Sequence, residues 1–144
     1  MKRIVFTFIT MMMCMFATQA TADNSMLDML TKEINKSCPE SVDEYTTMLR
    51  VENADTDFVY YYSFDNELFS VYEENTEMLS LLKKELLKGI RNLYVEGDSY
   101  MKYFYELLSE NNKGIKFTYF NEEGTDSFTV RINPAEVKAV IINN

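Results

Sequence analysis

The sequence contains no histidine, and its four glycines are too scattered to form a phosphate-binding loop. Histidine supplies the base of the usual catalytic triad and is the commonest metal ligand, so its absence excludes most sites of both kinds. No glycine falls in a GxGxxG or GxxxxGK pattern, which excludes the common nucleotide-binding motifs. The sequence therefore predicts a protein that is not an enzyme and that has no metal site and no cofactor.

Cysteine is nearly as scarce, with Cys14 in an N-terminal apolar run and Cys38 in the rest of the chain. A cysteine without a histidine or a second cysteine argues against thiol catalysis and disulfide exchange. Cys38 follows a helical apolar pattern and precedes Pro39, which favours a buried, unreactive thiol. A disulfide between two copies of the chain is the alternative.

Residues 1–22 have the pattern of a secretory signal peptide. Two basic residues precede an apolar run at residues 4–16, and small side chains at Ala20 and Ala22 suit cleavage after Ala22, with cleavage after Ala20 as the alternative. The run is shorter than the roughly 20 residues that a membrane-spanning helix requires. The sequence thus predicts an exported protein, periplasmic or extracellular, whose mature chain is a single domain of residues 23–144 without a membrane span.

An acidic excess marks the predicted mature chain. Loss of Lys2 and Arg3 leaves 12 of the 14 basic residues against 23 acidic ones, a formal charge of −11. Nucleic acids bind through Lys and Arg contacts to phosphate, so a nucleic-acid partner is excluded. A basic protein is a candidate partner, because opposite charges steer association.

Apolar periodicity divides the chain into helices and strands. Apolar side chains recur at helical spacing in residues 25–38, 75–91 and 98–113, and they alternate in residues 46–52, 57–65, 115–120 and 127–133. Short turns, one of them containing Gly124, join the strands into two β-hairpins, and Asn133 with Pro134 predicts a last short turn. The order α-β-β-α-α-β-β predicts an α+β fold, a four-stranded antiparallel sheet with helices packed on one face.

The stretch DFVYYYSFD, residues 57–65, places three consecutive tyrosines in one strand. Side chains alternate along a strand, so Tyr60 and Tyr62 share the apolar face and belong to the core. Tyr61 points to the opposite, open face of the sheet. The candidate binding site on that face consists of Tyr61, Phe120, Arg50 and Arg131, a mixture typical of protein-binding patches. A half-solvated sheet surface without a binding role is the alternative.

The segment INKSCPESVDEYTTM, residues 34–48, resembles a stretch found in small secreted bacterial proteins of unknown function. The shared pattern is INKxxPxxVDxxT followed by a Tyr-x-Tyr strand, which Tyr60 and Tyr62 supply here. The resemblance implies an exported α+β domain and transfers no catalytic residue. Those proteins carry a cysteine pair, near the second long helix and the C-terminus, that this chain lacks.

Together these features predict an exported, non-catalytic binding or interaction protein, such as an inhibitor or immunity-type partner of a basic protein. A carboxylate-dependent hydrolase of envelope polymers is the first alternative, because glycoside hydrolysis requires only two acidic side chains. A small-ligand carrier is the second alternative. It needs a pocket between sheet and helices, where bulky Phe and Tyr side chains are expected to leave little space.

Overall fold

The computed structural model describes residues 24–143, so the predicted signal peptide and its cleavage positions Ala20 and Ala22 lie outside the described residues. Within that range the chain forms five helices and five strands. In order they are α1 Asn24–Lys36, β1 Glu40–Ser41, β2 Thr46–Asn53, β3 Asp57–Phe64, α2 Asn66–Tyr72, α3 Thr76–Glu96, α4 Ser99–Glu110, β4 Gly114–Phe120, β5 Ser127–Ile132 and α5 Pro134–Ile142.

The α+β class is confirmed, but the sheet is five-stranded and mixed, with the strand order β1-β2-β3-β4-β5. Strands β3 and β4 are parallel, whereas the other neighbouring strands are antiparallel. The prediction of a four-stranded antiparallel sheet was wrong because it placed the two hairpins side by side as if one reversal joined them. Helices α2, α3 and α4 instead form a crossover that returns the chain to the end of the sheet where β3 begins, as parallel neighbours require.

Helices α2 to α5 begin at side-chain caps, and two of these caps account for elements that the sequence did not predict in full. Helix α2 follows β3 directly because the Asp65 carboxylate accepts a hydrogen bond from the Leu68 N–H at 2.8 Å. The short turn predicted after Asn133 is the start of α5, a helix of nine residues. Asn133 and Glu136 form a capping box at its N-terminus. No helix of residues 24–143 is both long and apolar enough to cross a membrane.

The core lies between the helices and one face of the sheet. Phe58, Tyr60, Tyr62 and Phe64 of β3 are each at most 6% exposed and cluster with buried side chains of α1 and α4. Tyr61, which alternates with them, is only half-buried. The assignment of Tyr60 and Tyr62 to the core is therefore confirmed.

Candidate functional site

The open face of the sheet brings three of the four predicted site residues together. Arg50 and Tyr61 are opposite each other on β2 and β3, and the Arg50 Cζ atom lies 3.8 Å from the centroid of the Tyr61 ring. The same ring stacks with Phe120 at a centroid distance of 6.3 Å. The Tyr61 hydroxyl donates a hydrogen bond to Glu52 Oε2 at 2.9 Å. Burial, with a contribution from this hydrogen bond, raises the pKa of Tyr61.

Arg131, the fourth predicted site residue, is engaged elsewhere on that face. Its Nε atom lies 3.1 Å from both carboxylate oxygens of Asp57, and its Nη2 atom lies 2.9 Å from Asp57 Oδ1. The Asp57 side chain is 8% exposed, so these charge-assisted bonds fasten the start of β3 to the end of β5. The structure thus gathers Arg50, Tyr61 and Phe120 into one cluster and separates Arg131 from it. A binding role for the four residues stays a prediction.

A cavity of about 290 Å³ lies on the other side of the sheet, beneath helix α3. Its floor is the helix-facing side of β3 and β4, formed by Tyr60, Tyr62, Ile115 and Phe117. Its roof is α3, through Leu82, Glu85, Leu86, Gly89, Ile90 and Leu93, and Tyr105 of α4 completes the lining. Because Glu85 is the one charged residue among these, the lining is almost wholly apolar.

The cavity floor is made of aromatic rings that stack on one another. The Tyr60 and Tyr62 rings are 6.1 Å apart and 8° from parallel, and the Tyr60 and Phe117 rings are 5.3 Å apart and 11° from parallel. Side chains of a strand stand roughly perpendicular to the sheet. The two tyrosine hydroxyls therefore lie at the ends of the rings that are farthest from the strands, at the level of α3.

Three tyrosines of the cavity lining have hydroxyl groups without a hydrogen-bond partner in the described part of the chain. Tyr60, Tyr62 and Tyr105 are 6%, 3% and 4% exposed, and within residues 24–143 none of their hydroxyls forms a hydrogen bond. In that range Glu40 Oε2 is the one fully buried side-chain polar atom without a partner, so each of the three hydroxyl oxygens keeps some accessible surface. Burial raises the pKa of all three groups, which are therefore uncharged at neutral pH.

Gly89 leaves a gap in the roof of the cavity. A Cβ atom added at Gly89 would have no heavy atom within 4 Å, so no close packing requires glycine there. Gly97, at the end of the same helix, is different, because an added Cβ would overlap the Leu93 carbonyl oxygen. Glycine inside a helix costs about 1 kcal/mol relative to alanine. Gly89 therefore lowers helix stability at a position where its one visible effect is to keep space open.

Sequence reasoning missed this cavity because the Phe and Tyr rings of β3 were expected to fill the space under the helices. The rings instead pack against one another along the sheet and leave the space between their ends and α3 empty. Gly89 was the available signal, since an isolated glycine inside a strongly periodic helix points to a packing or functional reason. Tyr60 and Tyr62 were correctly placed in the core, but their hydroxyls were not recognised as part of a site.

Two carboxylates approach each other outside the cavity. A hydrogen bond with Asp126 is the main cause that raises the pKa of Glu73, and Asp126 is exposed. The cavity itself is lined by one carboxylate, that of Glu85, and so does not supply the pair of carboxylates that most glycosidases use. No group of three or more Cys, Asp or Glu side chains in residues 24–143 is arranged to hold a metal ion.

Cys38 is a free, half-buried cysteine. Its thiol donates a hydrogen bond to the Ile34 carbonyl oxygen at 3.5 Å. Burial, followed by the nearby negative charge of Glu40, raises the pKa of the thiol. These conditions disfavour the thiolate, the form that reacts, in line with the unreactive role predicted for this residue.

Comparison with known proteins identifies a similar fold but no family. No protein-family model and no curated protein matches the sequence. Among solved structures, the chain is similar to a protein from Pseudomonas aeruginosa described as a "putative secreted protein", with a TM-score of 0.61 and 10% sequence identity. The similarity covers 83% of this chain and 98% of the Pseudomonas chain. At this identity the comparison shows that the two chains share a fold.

Proposed function

We propose that this chain is an exported, non-catalytic binding protein whose ligand is a small, mainly apolar molecule held between α3 and the sheet. The observation that carries the proposal is the cavity beneath α3, which is bordered by three tyrosine hydroxyls that have no hydrogen-bond partner within residues 24–143. A ligand with an acceptor or donor would provide the partners that the protein itself does not.

Gly89 supports a binding role over accidental imperfect packing. Alanine at this position would meet no steric obstacle and would favour the helix by about 1 kcal/mol. Larger apolar side chains would fill the cavity and bury more surface. A glycine that retains the space at a cost in stability is expected where the space is used.

The volume of the cavity limits the size of the ligand. An engineered apolar cavity of about 150 Å³ accommodates benzene. The cavity beneath α3, at about 290 Å³, is roughly twice as large and accommodates an apolar group of about twelve non-hydrogen atoms. This is near the lower limit for small-molecule sites, so the ligand is smaller than a nucleotide or a haem.

The exported location rests on three supports. They are the signal-peptide pattern of residues 1–22, the resemblance of residues 34–48 to small secreted bacterial proteins, and the fold shared with the Pseudomonas protein. Mass spectrometry of the chain recovered from its source cells tests this part of the proposal. We expect an N-terminus at residue 23 or 21 and a periplasmic or extracellular fraction; an intact N-terminus in the cytoplasm would contradict export.

The open face of the sheet does not offer a binding site for a basic protein partner. The basic residues there, Arg50, Lys116 and Arg131, outnumber the acidic residues Glu52 and Asp57. These five residues carry a net positive charge, which does not complement a basic partner. The hypothesis therefore continues to depend on the net charge alone, and the cavity favours a small ligand.

Titration of the purified mature chain with 1-hexanol, 1-octanol, 1-decanol and 1-dodecanol tests the binding function by calorimetry. Each buried methylene contributes about 0.8 kcal/mol, so we expect affinity to rise about fourfold per methylene and to level off near 1-decanol. Gly89→Met should fill the cavity and lower the affinity for 1-decanol about tenfold. Ser80→Met, which places the same side chain at an exposed position of α3, is the matched control.

Two results would contradict the binding function. One is the absence of binding for every alkanol up to its solubility limit. The other is an equal affinity of the Gly89→Met and Ser80→Met variants for 1-decanol, because alkanols would then bind outside the cavity.

A further inference from the structure

The chemistry at the edge of the cavity specifies the polar end of the ligand. Resting on the function proposed above, we propose that the ligand is a cationic amphiphile, an amine whose apolar part lies over the tyrosine rings and whose ammonium group lies beside Glu85.

Glu85 is placed to receive a positive charge. It is the one charged residue that lines the cavity, and it is exposed, so its carboxylate is at the edge of the cavity that meets solvent. Within residues 24–143 it forms no ion pair and no hydrogen bond. A ligand ammonium at this edge would keep part of its hydration and gain a carboxylate partner.

The tyrosines that line the cavity are compatible with an ammonium group. Tyr60, Tyr62 and Tyr105 contribute three uncharged hydroxyls to the lining, and these hydroxyls can accept hydrogen bonds from ammonium N–H groups.

An anionic amphiphile such as a fatty acid fits the same cavity poorly. No lysine or arginine lines the cavity, so a carboxylate placed inside would lose its hydration without gaining a cation. A carboxylate placed at the edge would lie beside Glu85 and experience repulsion from a mature chain with 12 basic and 23 acidic residues. An uncharged alcohol avoids both costs but gains no ion pair.

Three probes that share a decyl chain and differ only in the head group test the inference. Decylamine, 1-decanol and decanoate are titrated into the purified mature chain at pH 7.5, below their micelle concentrations, with calorimetry as the readout. A solvent-exposed ion pair contributes up to about 1 kcal/mol, so we expect decylammonium to bind about fivefold more tightly than 1-decanol, and decanoate to bind most weakly.

Comparison of the Glu85→Gln and Glu77→Gln variants distinguishes the effect of the Glu85 carboxylate from the effect of the net charge. Glu85→Gln should bring the affinity for decylammonium to that for 1-decanol and leave the affinity for 1-decanol unchanged. Glu77→Gln, which alters the net charge equally at an exposed position of α3 outside the cavity, should preserve the order of the three probes.

The outcomes distinguish this inference from the function on which it rests. Equal affinities for the three probes, or the same effect of Glu85→Gln and Glu77→Gln, would overturn the preference for a cation while leaving an apolar binding site. Failure of all three probes to bind would overturn the binding function itself. Tightest binding of decylammonium and weakest binding of decanoate, with this order lost in Glu85→Gln and kept in Glu77→Gln, would support both the cation preference and the binding function.

Discussion

Helices α1 and α3 contribute to the same core but pack differently. Helix α1 has 13 residues and buries four of them, Met26, Leu27, Leu30 and Ile34, to at most 4% exposure. Helix α3 has 21 residues, and Ile90, at 5% exposure, is its one buried residue. A regular apolar stripe therefore does not determine how tightly a helix packs. Helix α1 closes the core over β2, whereas α3 spans its part of the core and leaves a cavity beneath it.

The two helices are also fastened by different bonds. On α1, the Asn35 side chain donates a hydrogen bond to the Val51 carbonyl oxygen at 2.9 Å and accepts one from the Val51 N–H at 2.8 Å. Val51 lies on β2 beyond the end of the short strand β1, so Asn35 pairs backbone groups that β1 does not reach. On α3, Lys83 pairs with Glu136 of α5 at 3.0 Å, and both side chains are partly exposed. Helix α1 is held by packing and paired backbone groups, and α3 depends more on contacts near the surface.

Truncation of a leucine in each helix should give the largest difference. Leu30→Ala removes a fully buried side chain of α1, and we expect a loss of about 3 kcal/mol in the free energy of unfolding. Leu82→Ala removes a half-buried side chain that already borders empty space, and we expect a loss of about 1 kcal/mol. Urea denaturation of the two variants and the wild type measures both values. Equal losses would mean that α3 packs as tightly as α1.

High pH should destabilise the folded chain through its buried tyrosines. Burial raises the pKa of Tyr60, Tyr62, Tyr105 and Tyr119 in the folded chain, whereas in the unfolded chain tyrosine loses its proton near pH 10. The stabilisation from keeping these groups protonated is complete below pH 10 and is lost as the pH rises towards the folded pKa. We expect each of these tyrosines to account for a loss of about 1 kcal/mol in the free energy of unfolding by pH 10.5.

Tyr62→Phe isolates one of these groups. The variant lacks a hydroxyl that has no partner within residues 24–143, so it should be as stable as the wild type at pH 7. Denaturation at pH 9 and pH 10.5 should then show a loss that is smaller by about 1 kcal/mol than in the wild type. The same alkaline loss in both chains would mean that α3 lifts readily and that Tyr62 titrates in the folded protein as in the unfolded one.

Local signals in the sequence identified the buried face of the strands, but not the sheet topology or the cavity. The alternation around Tyr60 and Tyr62 identified the helix-facing side of β3, and Asn133 with Pro134 marked the start of α5. The parallel pairing of β3 with β4 depends on where a crossover of three helices ends, which no local pattern encodes. The cavity depends on the distance between α3 and the stacked rings of the sheet. In the sequence, Gly89 was the one signal of this cavity.

Replacing Gly89 inside α3 and Gly97 directly after its end should shift the stability of the chain in opposite directions. Gly89→Ala adds a methyl group where there is room and improves helix propensity, so we expect a gain of about 1 kcal/mol. Gly97→Ala should destabilise the chain, because its Cβ would overlap the Leu93 carbonyl oxygen at the end of the helix. Thermal denaturation measures both changes. A loss of stability in Gly89→Ala would show that the space around this residue is occupied.

The smallest effect should come from the ion pair that ties α3 to α5. Burial opposes ionisation of Glu136, but hydrogen bonds from Lys83 and from the Asn133 backbone outweigh it and lower the Glu136 pKa. The stabilisation is therefore present above the ordinary glutamate pKa and is lost as the pH falls through the lowered value. Because the pair is partly exposed, we expect Lys83→Met to cost about 0.5 kcal/mol at pH 7 and progressively less as the pH falls through the lowered Glu136 pKa. Lys84→Met, one residue away and exposed, is the matched control; an equal cost in both variants would show that the Lys83 pair does not hold α3 in place.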